Sequence, residues 1–136
     1  MTTRILDASV AAAWYLPESF SAKAKEWQRR MLDGDARFLV PRLHYWELAN
    51  VLRTYVLRRE ISAALARDIY ALHLEAPLEV VEPAPDDVVS LALEYGTTAY
   101  DAVYIALTLA QGVPIVTGER ATSPWVAKLG PLAEPL

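Results

Sequence analysis

Four acidic residues occupy positions at which a predicted strand ends or a predicted helix begins. Asp7 follows the apolar run that ends at Leu6, and Glu47 lies in the first turns of a long helical segment. Asp101 begins another helical segment, and Glu119 follows a short apolar run. In a parallel α/β fold, the carboxyl ends of the strands and the amino ends of the helices face one crevice. Carboxylates gathered in such a crevice commonly hold a hard divalent cation against a phosphate.

Each of these residues also has a simpler explanation when it is taken alone. Asp7 could cap the helix that follows it, and Asp101 lies three residues after Thr98, as in a capping box. Glu47 could be a favourable charge near a helix start, and Glu119 could be a solvated loop residue. The set favours a shared site, because three of the four have apolar neighbours and an unpaired buried carboxylate is costly. No Lys or Arg lies within three residues of Asp101, so a cation is the simplest partner.

The elements that must position these residues alternate between short apolar runs and helical segments. The predicted strands are residues 4–6, 38–41, 78–82 and 114–117, with a further short strand near Leu132. The predicted helices are residues 8–16, 20–33, 43–59, 62–74, 85–96 and 99–111. Ser62 and Thr98 are expected to cap helices, and Gly96 and Gly112 to end them.

The strands are apolar without alternation, which is typical of strands that are covered on both faces. Strands separated by helices predict an α/β fold, a three-layer α/β/α sandwich with a mainly parallel central sheet. Residues 1–136 are expected to form a single domain, since the chain shows no linker, repeat or low-complexity segment.

The composition excludes several classes of protein. With 54% hydrophobic and 22% charged residues, the chain is compact and not disordered. It has no cysteine, which excludes disulfides and thiolate metal sites and is consistent with the cytoplasm. The longest uncharged stretch, residues 102–118, contains Gln111, Gly112 and Pro114, so no membrane span is predicted. The net charge of −4 argues against nonspecific coating of nucleic acid, but an acidic metal site in a nuclease would itself contribute negative charge.

Four short motifs occur in order along the chain: LDAS at 6–9, ELANVL at 47–52, YDAVYIAL at 100–107 and VTGER at 116–120. With them the chain resembles a PIN domain from Ile5 to about Arg120, and its size and order are similar to the VapC-type toxin ribonucleases of toxin–antitoxin pairs. The resemblance implies a PIN-like fold, RNA hydrolysis that depends on Mg²⁺ or Mn²⁺, a cognate antitoxin and a homodimer.

The resemblance also implies roles for individual residues. The catalytic and metal-binding set would be Asp7, Glu47, Asp101 and Glu119, with Ser9 and Thr117 as polar neighbours that support the site. Asp7 and Asp101 would be the strongest ligands, and Glu47 would bind the metal or orient the attacking water. Many members have Asp where this chain has Glu119, whose additional methylene favours a contact through water.

Other functions fit the sequence less well. A phosphotransferase with an aspartyl nucleophile requires Asp-x-Asp after its first strand, and Ser9 occupies the second position here. A phospho-receiver domain requires a Lys after its last strand and an acceptor Asp after a middle strand, and neither is present. A PIN-like module that binds RNA or protein without catalysis stays open as an alternative. His44 and His73 show no partner in the sequence and are interpreted as partly buried polar residues.

Overall fold

A central parallel sheet organises the chain. The computed structural model describes all 136 residues. Its strands are β1 (Thr2–Leu6), β2 (Ala36–Val40), β3 (Glu79–Val80), β4 (Ile115–Thr117) and β5 (Ala133–Pro135). They lie in the order β3-β2-β1-β4-β5, and every neighbouring pair is parallel. The predicted parallel α/β sandwich is confirmed.

Seven helices connect and cover the strands. They are α1 (Ala8–Tyr15), α2 (Ser21–Leu32), α3 (Leu43–Leu57), α4 (Ala63–Leu74), α5 (Val88–Tyr95), α6 (Ala99–Gln111) and α7 (Pro124–Leu129), the last followed by a 3₁₀ turn (Gly130–Leu132). The Ser62 and Thr98 side chains cap α4 and α6, and Gly96 and Gly112 end α5 and α6 in the left-handed conformation, as predicted. None of the helices has the length and apolar content that crossing a membrane requires.

Successive residues of the central strands face opposite layers of the sandwich. Ile5 and Ile115 belong to a core cluster that α6 and α7 complete. Leu6 and Val116, the next residues along each strand, belong to a second cluster that α1 and α2 complete. A third cluster joins α1, α3 and α4. The middle strands are therefore buried on both faces, which explains why they are apolar without alternation.

The sequence-based prediction was wrong in two places. Residues 78–82 were expected to form a buried strand, but β3 contains only Glu79 and Val80, and both are exposed. The reason is that β3 is an edge strand, which pairs with β2 alone. Helix α7 was not predicted, because its six residues lie between Pro124 and Gly130, which in sequence indicate a loop. The short last strand expected near Leu132 is present as β5.

The order of the strands in the sheet has its topological switch point between β1 and β4. The chain places β2 and then β3 on one side of β1, and β4 and then β5 on the other. A crevice therefore opens between the carboxyl ends of β1 and β4, where parallel α/β folds bind their ligands. Asp7 directly follows β1, and Thr117 ends β4, so both residues lie at this crevice.

Candidate functional site

Asp7 is held in place by hydrogen bonds from the neighbouring strand. The Thr117 hydroxyl donates to Asp7 Oδ2 at 2.7 Å, while the Ser9 N–H makes only a long contact of 3.5 Å with Oδ1. The Thr117 hydroxyl also accepts from the Glu119 N–H at 3.1 Å, and the Ser9 hydroxyl accepts from the Gly118 N–H at 3.0 Å. Thr117 and Ser9 therefore tie the end of β1 to the loop after β4.

Three of the four acidic side chains influence one another. Burial raises the pKa of Asp7, its hydrogen bonds with Thr117 and Ser9 lower it in part, and the charge of Asp101 raises it further. Burial also raises the pKa of Glu47 to about 7, and the charges of Asp7 and Asp101 add to the shift. We call the region formed by Asp7, Glu47 and Asp101 the acidic pocket.

The acidic pocket contains no counter-charge from the protein. The five ion pairs of the structure all lie elsewhere, and none includes any of the four acidic residues. The Oε1 atom of Glu47 is buried without a hydrogen-bond partner. No three Asp, Glu or His side chains are arranged, as they stand, to hold a metal ion. Because carboxylates repel one another, a spread arrangement is expected without a cation, and binding one would require the side chains to turn toward it.

Asp101 is placed by the cap of α6. Its N–H donates to the Thr98 hydroxyl at 3.1 Å, which is one half of the predicted capping box. The Asp101 carboxylate does not return a bond to the Thr98 N–H but accepts one from the Thr97 hydroxyl. The cap therefore fixes the backbone of Asp101 through Thr98. The Asp101 carboxylate takes no part in the cap and has oxygen lone pairs left for a ligand.

Glu119 lies at the rim and not in the acidic pocket. Its side chain is exposed and lines a polar cavity of about 320 Å³ together with Gly118, Arg120, Thr122 and Ser123. Its charge does not contribute to the pKa shifts of Asp7 or Glu47. The structure thus brings three of the four acidic side chains together and places the fourth outside them.

Tyr104 is a site residue that the sequence reasoning missed. Its side chain is 2% exposed, and its hydroxyl has no hydrogen-bond partner. Burial and the charges of Asp7 and Glu47 raise the pKa of Tyr104 well above its ordinary value, so the hydroxyl stays protonated and can donate. The hydroxyl is close enough to lower the pKa of Glu47, but it does not reach hydrogen-bonding geometry. The sequence does contain a signal for Tyr104. It lies three residues after Asp101, and residues three apart share a helix face.

The two histidines pair with each other. His44 Nε2 and His73 Nε2 are 2.9 Å apart, and both side chains are fully buried. The interpretation of His44 and His73 as partly buried residues without a partner was therefore wrong. They lie on α3 and α4, 29 residues apart, and no local spacing relates them.

Comparison with known proteins gives consistent matches over most of the chain. The model of the PIN domain family matches residues 4–122, which include all four acidic positions. The chain is 31% identical over 124 residues to the protein named ribonuclease VapC3 from Pyrobaculum aerophilum, a match that covers 85% of this chain and 88% of that protein. The fold is also similar to the crystal structure of PAE2754 from Pyrobaculum aerophilum, with a TM-score of 0.70 and 25% identity, over 93% of this chain and 86% of the other.

Proposed function

This chain belongs to the PIN domain family, and from that membership we propose that it is a divalent-metal-dependent endoribonuclease that hydrolyses RNA phosphodiester bonds. Its role would be that of the toxin in a VapBC-type toxin–antitoxin system acting in the cytoplasm, and the similarity to ribonuclease VapC3 supports this role. The observation that carries the proposal is the acidic pocket, in which Asp7, Glu47 and Asp101 interact without a basic partner.

The chemistry of the acidic pocket fits Mg²⁺ or Mn²⁺. Its donors are carboxylate oxygens, which hard divalent cations prefer, and the buried Oε1 of Glu47 lacks a partner that a cation or its water would supply. Asp7 and Asp101 would hold the ion most directly. When bound, the ion supplies polarisation of the scissile phosphate, a lower pKa for the attacking water and stabilisation of the leaving oxygen.

The protein's own residues supply the remaining parts of the reaction. Glu47, whose carboxylate interacts with those of Asp7 and Asp101, would orient the attacking water or take its proton. The Tyr104 hydroxyl, which is buried beside Glu47, can donate a hydrogen bond to the Glu47 carboxylate and so favour its ionised form. Thr117 fixes the orientation of Asp7, and Glu119 would reach the ion through water from the rim. Attack of water on phosphorus breaks the bond to the leaving ribose oxygen, and that oxygen takes up a proton from solvent water, which balances the proton lost by the attacking water.

The test of this function is cleavage of single-stranded RNA in Mn²⁺ or Mg²⁺, with a chelator as control. The substitution Asp101→Asn keeps an acceptor for the Thr97 hydroxyl and removes the charge, so it should lower cleavage at least about 100-fold without unfolding the protein. Asp87→Asn is the matched control, since Asp87 directly precedes α5, is exposed and makes no side-chain cap bond.

Cleavage that persists in chelator or in Asp101→Asn would contradict the assignment. Mn²⁺ binding without any cleavage would favour the alternative, an inactive PIN-like module that binds RNA or protein.

The proposed partners are the RNA substrate, a cognate antitoxin and a second copy of the chain. Apolar surface supports the two protein partners, because extended apolar patches mark interfaces. A groove of about 410 Å³ between α3 and α4 is lined mainly by apolar side chains, among them Leu52, Val56, Leu57, Tyr70 and Leu74. Val89 and Leu93 of α5 are 70% and 80% exposed. Light scattering of the purified protein should show a dimer, and a monomer at high concentration would contradict that part.

A further inference from the structure

The buried histidines belong to one continuous hydrogen-bonded chain that crosses four elements. His44 Nδ1 lies 3.1 Å from the Leu6 carbonyl oxygen, and His44 Nε2 lies 2.9 Å from His73 Nε2. His73 Nδ1 lies 2.8 Å from the Tyr15 hydroxyl. We call this series, Tyr15–His73–His44–Leu6, the histidine chain. It connects α1, α4, α3 and the end of β1.

Hydrogen-bonding chemistry fixes the direction of the histidine chain. The Leu6 carbonyl can only accept, so His44 Nδ1 carries a hydrogen and donates it. A neutral imidazole carries one N–H, so His44 Nε2 accepts, and His73 Nε2 must be the donor. His73 Nδ1 then accepts from the Tyr15 hydroxyl. Each ring has one allowed tautomer, and every ring nitrogen has a partner.

Both imidazoles of the histidine chain stay neutral at the pH of a cell, so its hydrogen bonds do not change with pH there. Burial lowers the pKa of His44 to about 3 and that of His73 to about 4, and the rings facing them belong to Trp14, Tyr15 and Tyr45, which carry no charge at neutral pH. The ring centres of the two histidines are 5.1 Å apart although their Nε2 atoms are only 2.9 Å apart, so the rings meet end to end and not face to face. The histidine chain is therefore a fixed structural connection and does not act as a pH switch.

The histidine chain ends beside the acidic pocket. Leu6, whose carbonyl receives the last hydrogen bond, directly precedes Asp7, and His44 lies one helical turn before Glu47 on α3. The bond between His44 and Leu6 thus ties the strand that presents Asp7 to the helix that presents Glu47. A metal site needs its ligands held within a fraction of an ångström by residues that are themselves locked.

We propose that the histidine chain is a positioning device, which sets Glu47 against Asp7 and thereby raises the affinity of the acidic pocket for a divalent ion. The inference rests on the proposed function, because it concerns the same pocket. It differs from a purely structural role in one respect: breaking the histidine chain must weaken metal binding more than an equal loss of stability elsewhere does.

The test compares Mn²⁺ binding to the full metal-free chain by calorimetry in wild type and two variants of His73. His73→Leu introduces an apolar side chain and removes both ring nitrogens, so Mn²⁺ affinity should fall about 10–100-fold, as it does when groups that orient ligands are removed. His73→Gln retains one donor and one acceptor and should restore the affinity to within a few-fold of wild type. The matched control is Ile69→Ala, one turn earlier on α4 in the apolar cluster that joins α1, α3 and α4. It should destabilise the same packing without breaking a bond of the histidine chain, so the affinity should stay unchanged.

The outcomes separate this inference from the proposed function. Wild type that fails to bind Mn²⁺ would overturn the metal-dependent function and the inference with it. Binding that is equal in wild type and His73→Leu, or equally weakened in Ile69→Ala, would overturn the positioning role alone.

Nitrogen NMR of the wild-type histidines tests the same geometry without any variant that must fold. It should show hydrogen on Nδ1 of His44 and on Nε2 of His73, and the opposite tautomers would overturn the histidine chain.

Discussion

The acidic pocket and the histidine chain are neighbouring polar regions that the protein completes in opposite ways. They share the end of β1 and the first turns of α3, yet in the histidine chain every ring nitrogen has a hydrogen-bond partner. In the acidic pocket, three carboxylates interact and no basic side chain pairs with them. Because a buried charge without a partner is costly, the histidine chain is complete within the fold, whereas the acidic pocket is suited to a cation.

The two regions also respond to burial in ways that have different consequences at neutral pH. Burial opposes the charged form in both, lowering the pKa of His44 and His73 and raising that of Glu47. Neutral imidazoles are still complete hydrogen-bonding groups, so the histidine chain loses nothing. Burial disfavours the charged form of Glu47, and no cation from the protein balances that charge.

The largest expected loss of stability comes from breaking the histidine chain. His44→Leu leaves the Leu6 carbonyl and the His73 N–H without partners in the interior, so it should lower the free energy of unfolding by about 2–5 kcal/mol. Glu47→Gln, one turn later on the same helix, should cause no such loss. Urea denaturation of both variants in chelator measures the contrast, and similar losses in the two would remove the distinction between the regions.

A smaller expected effect is that the two regions contribute to stability with opposite dependence on pH. The folded protein holds a proton on Glu47 between about pH 4.5 and 7 where the unfolded chain does not, so the contribution of Glu47 to stability falls as pH rises through that window. The histidines act oppositely: the unfolded chain takes up their protons first, so stability is lost as pH falls from about 6.5 toward 4.

The free energy of unfolding of Glu47→Gln should therefore equal that of wild type at pH 4 and be higher by about 1–2 kcal/mol at pH 8. The expected difference is kept small because the carboxyl is partly exposed and solvent screens its charge. Unfolding curves in chelator from pH 4 to pH 8 provide the measurement. A fixed Mn²⁺ concentration at pH 8 should stabilise wild type more than the variant, which keeps Asp7 and Asp101 but lacks the third carboxylate. A difference that stays constant with pH would show that Glu47 is not the group responsible.

The smallest expected effect concerns the rim of the acidic pocket. Glu119→Gln should leave the free energy of unfolding within about 0.5 kcal/mol of wild type, because the side chain is exposed. If Glu119 acts through water, Mn²⁺ affinity should fall about 10-fold and Glu119→Asp should be tolerated. Unchanged Mn²⁺ affinity and turnover in Glu119→Gln would make it a loop residue and reduce the site to three carboxylates.

Local signals in the sequence predicted most of the fold. Apolar runs located the strands, and Ser62, Thr98, Gly96 and Gly112 located helix ends, because caps and left-handed turns depend on a few adjacent residues. The exposure of β3 was missed, since strand order is decided by pairings between distant segments.

The same distinction applies to the site. Asp7, Glu47 and Asp101 follow from their places at the ends of strands and the starts of helices, which topology brings to one crevice. The pairing of His44 with His73 depends on how α3 packs against α4, and the direction of the Tyr104 hydroxyl depends on the packing of α6. No local spacing reveals the histidine pair, whereas the position of Tyr104 three residues after Asp101 on α6 indicates a shared helix face but not the direction of the hydroxyl.

The hydrogen bond between Thr117 and Asp7 joins residues that are 110 positions apart, and this has a consequence for the timing of synthesis. A ribosome releases β1 first and β4 long afterwards, so a growing chain holds Asp7 without the strand that orients it. Asp101 is also added late. Thr117 cannot orient Asp7 until β4 has emerged and paired with β1. The proposed ribonuclease would therefore stay inactive beside the messenger that encodes it until most of its chain has been made.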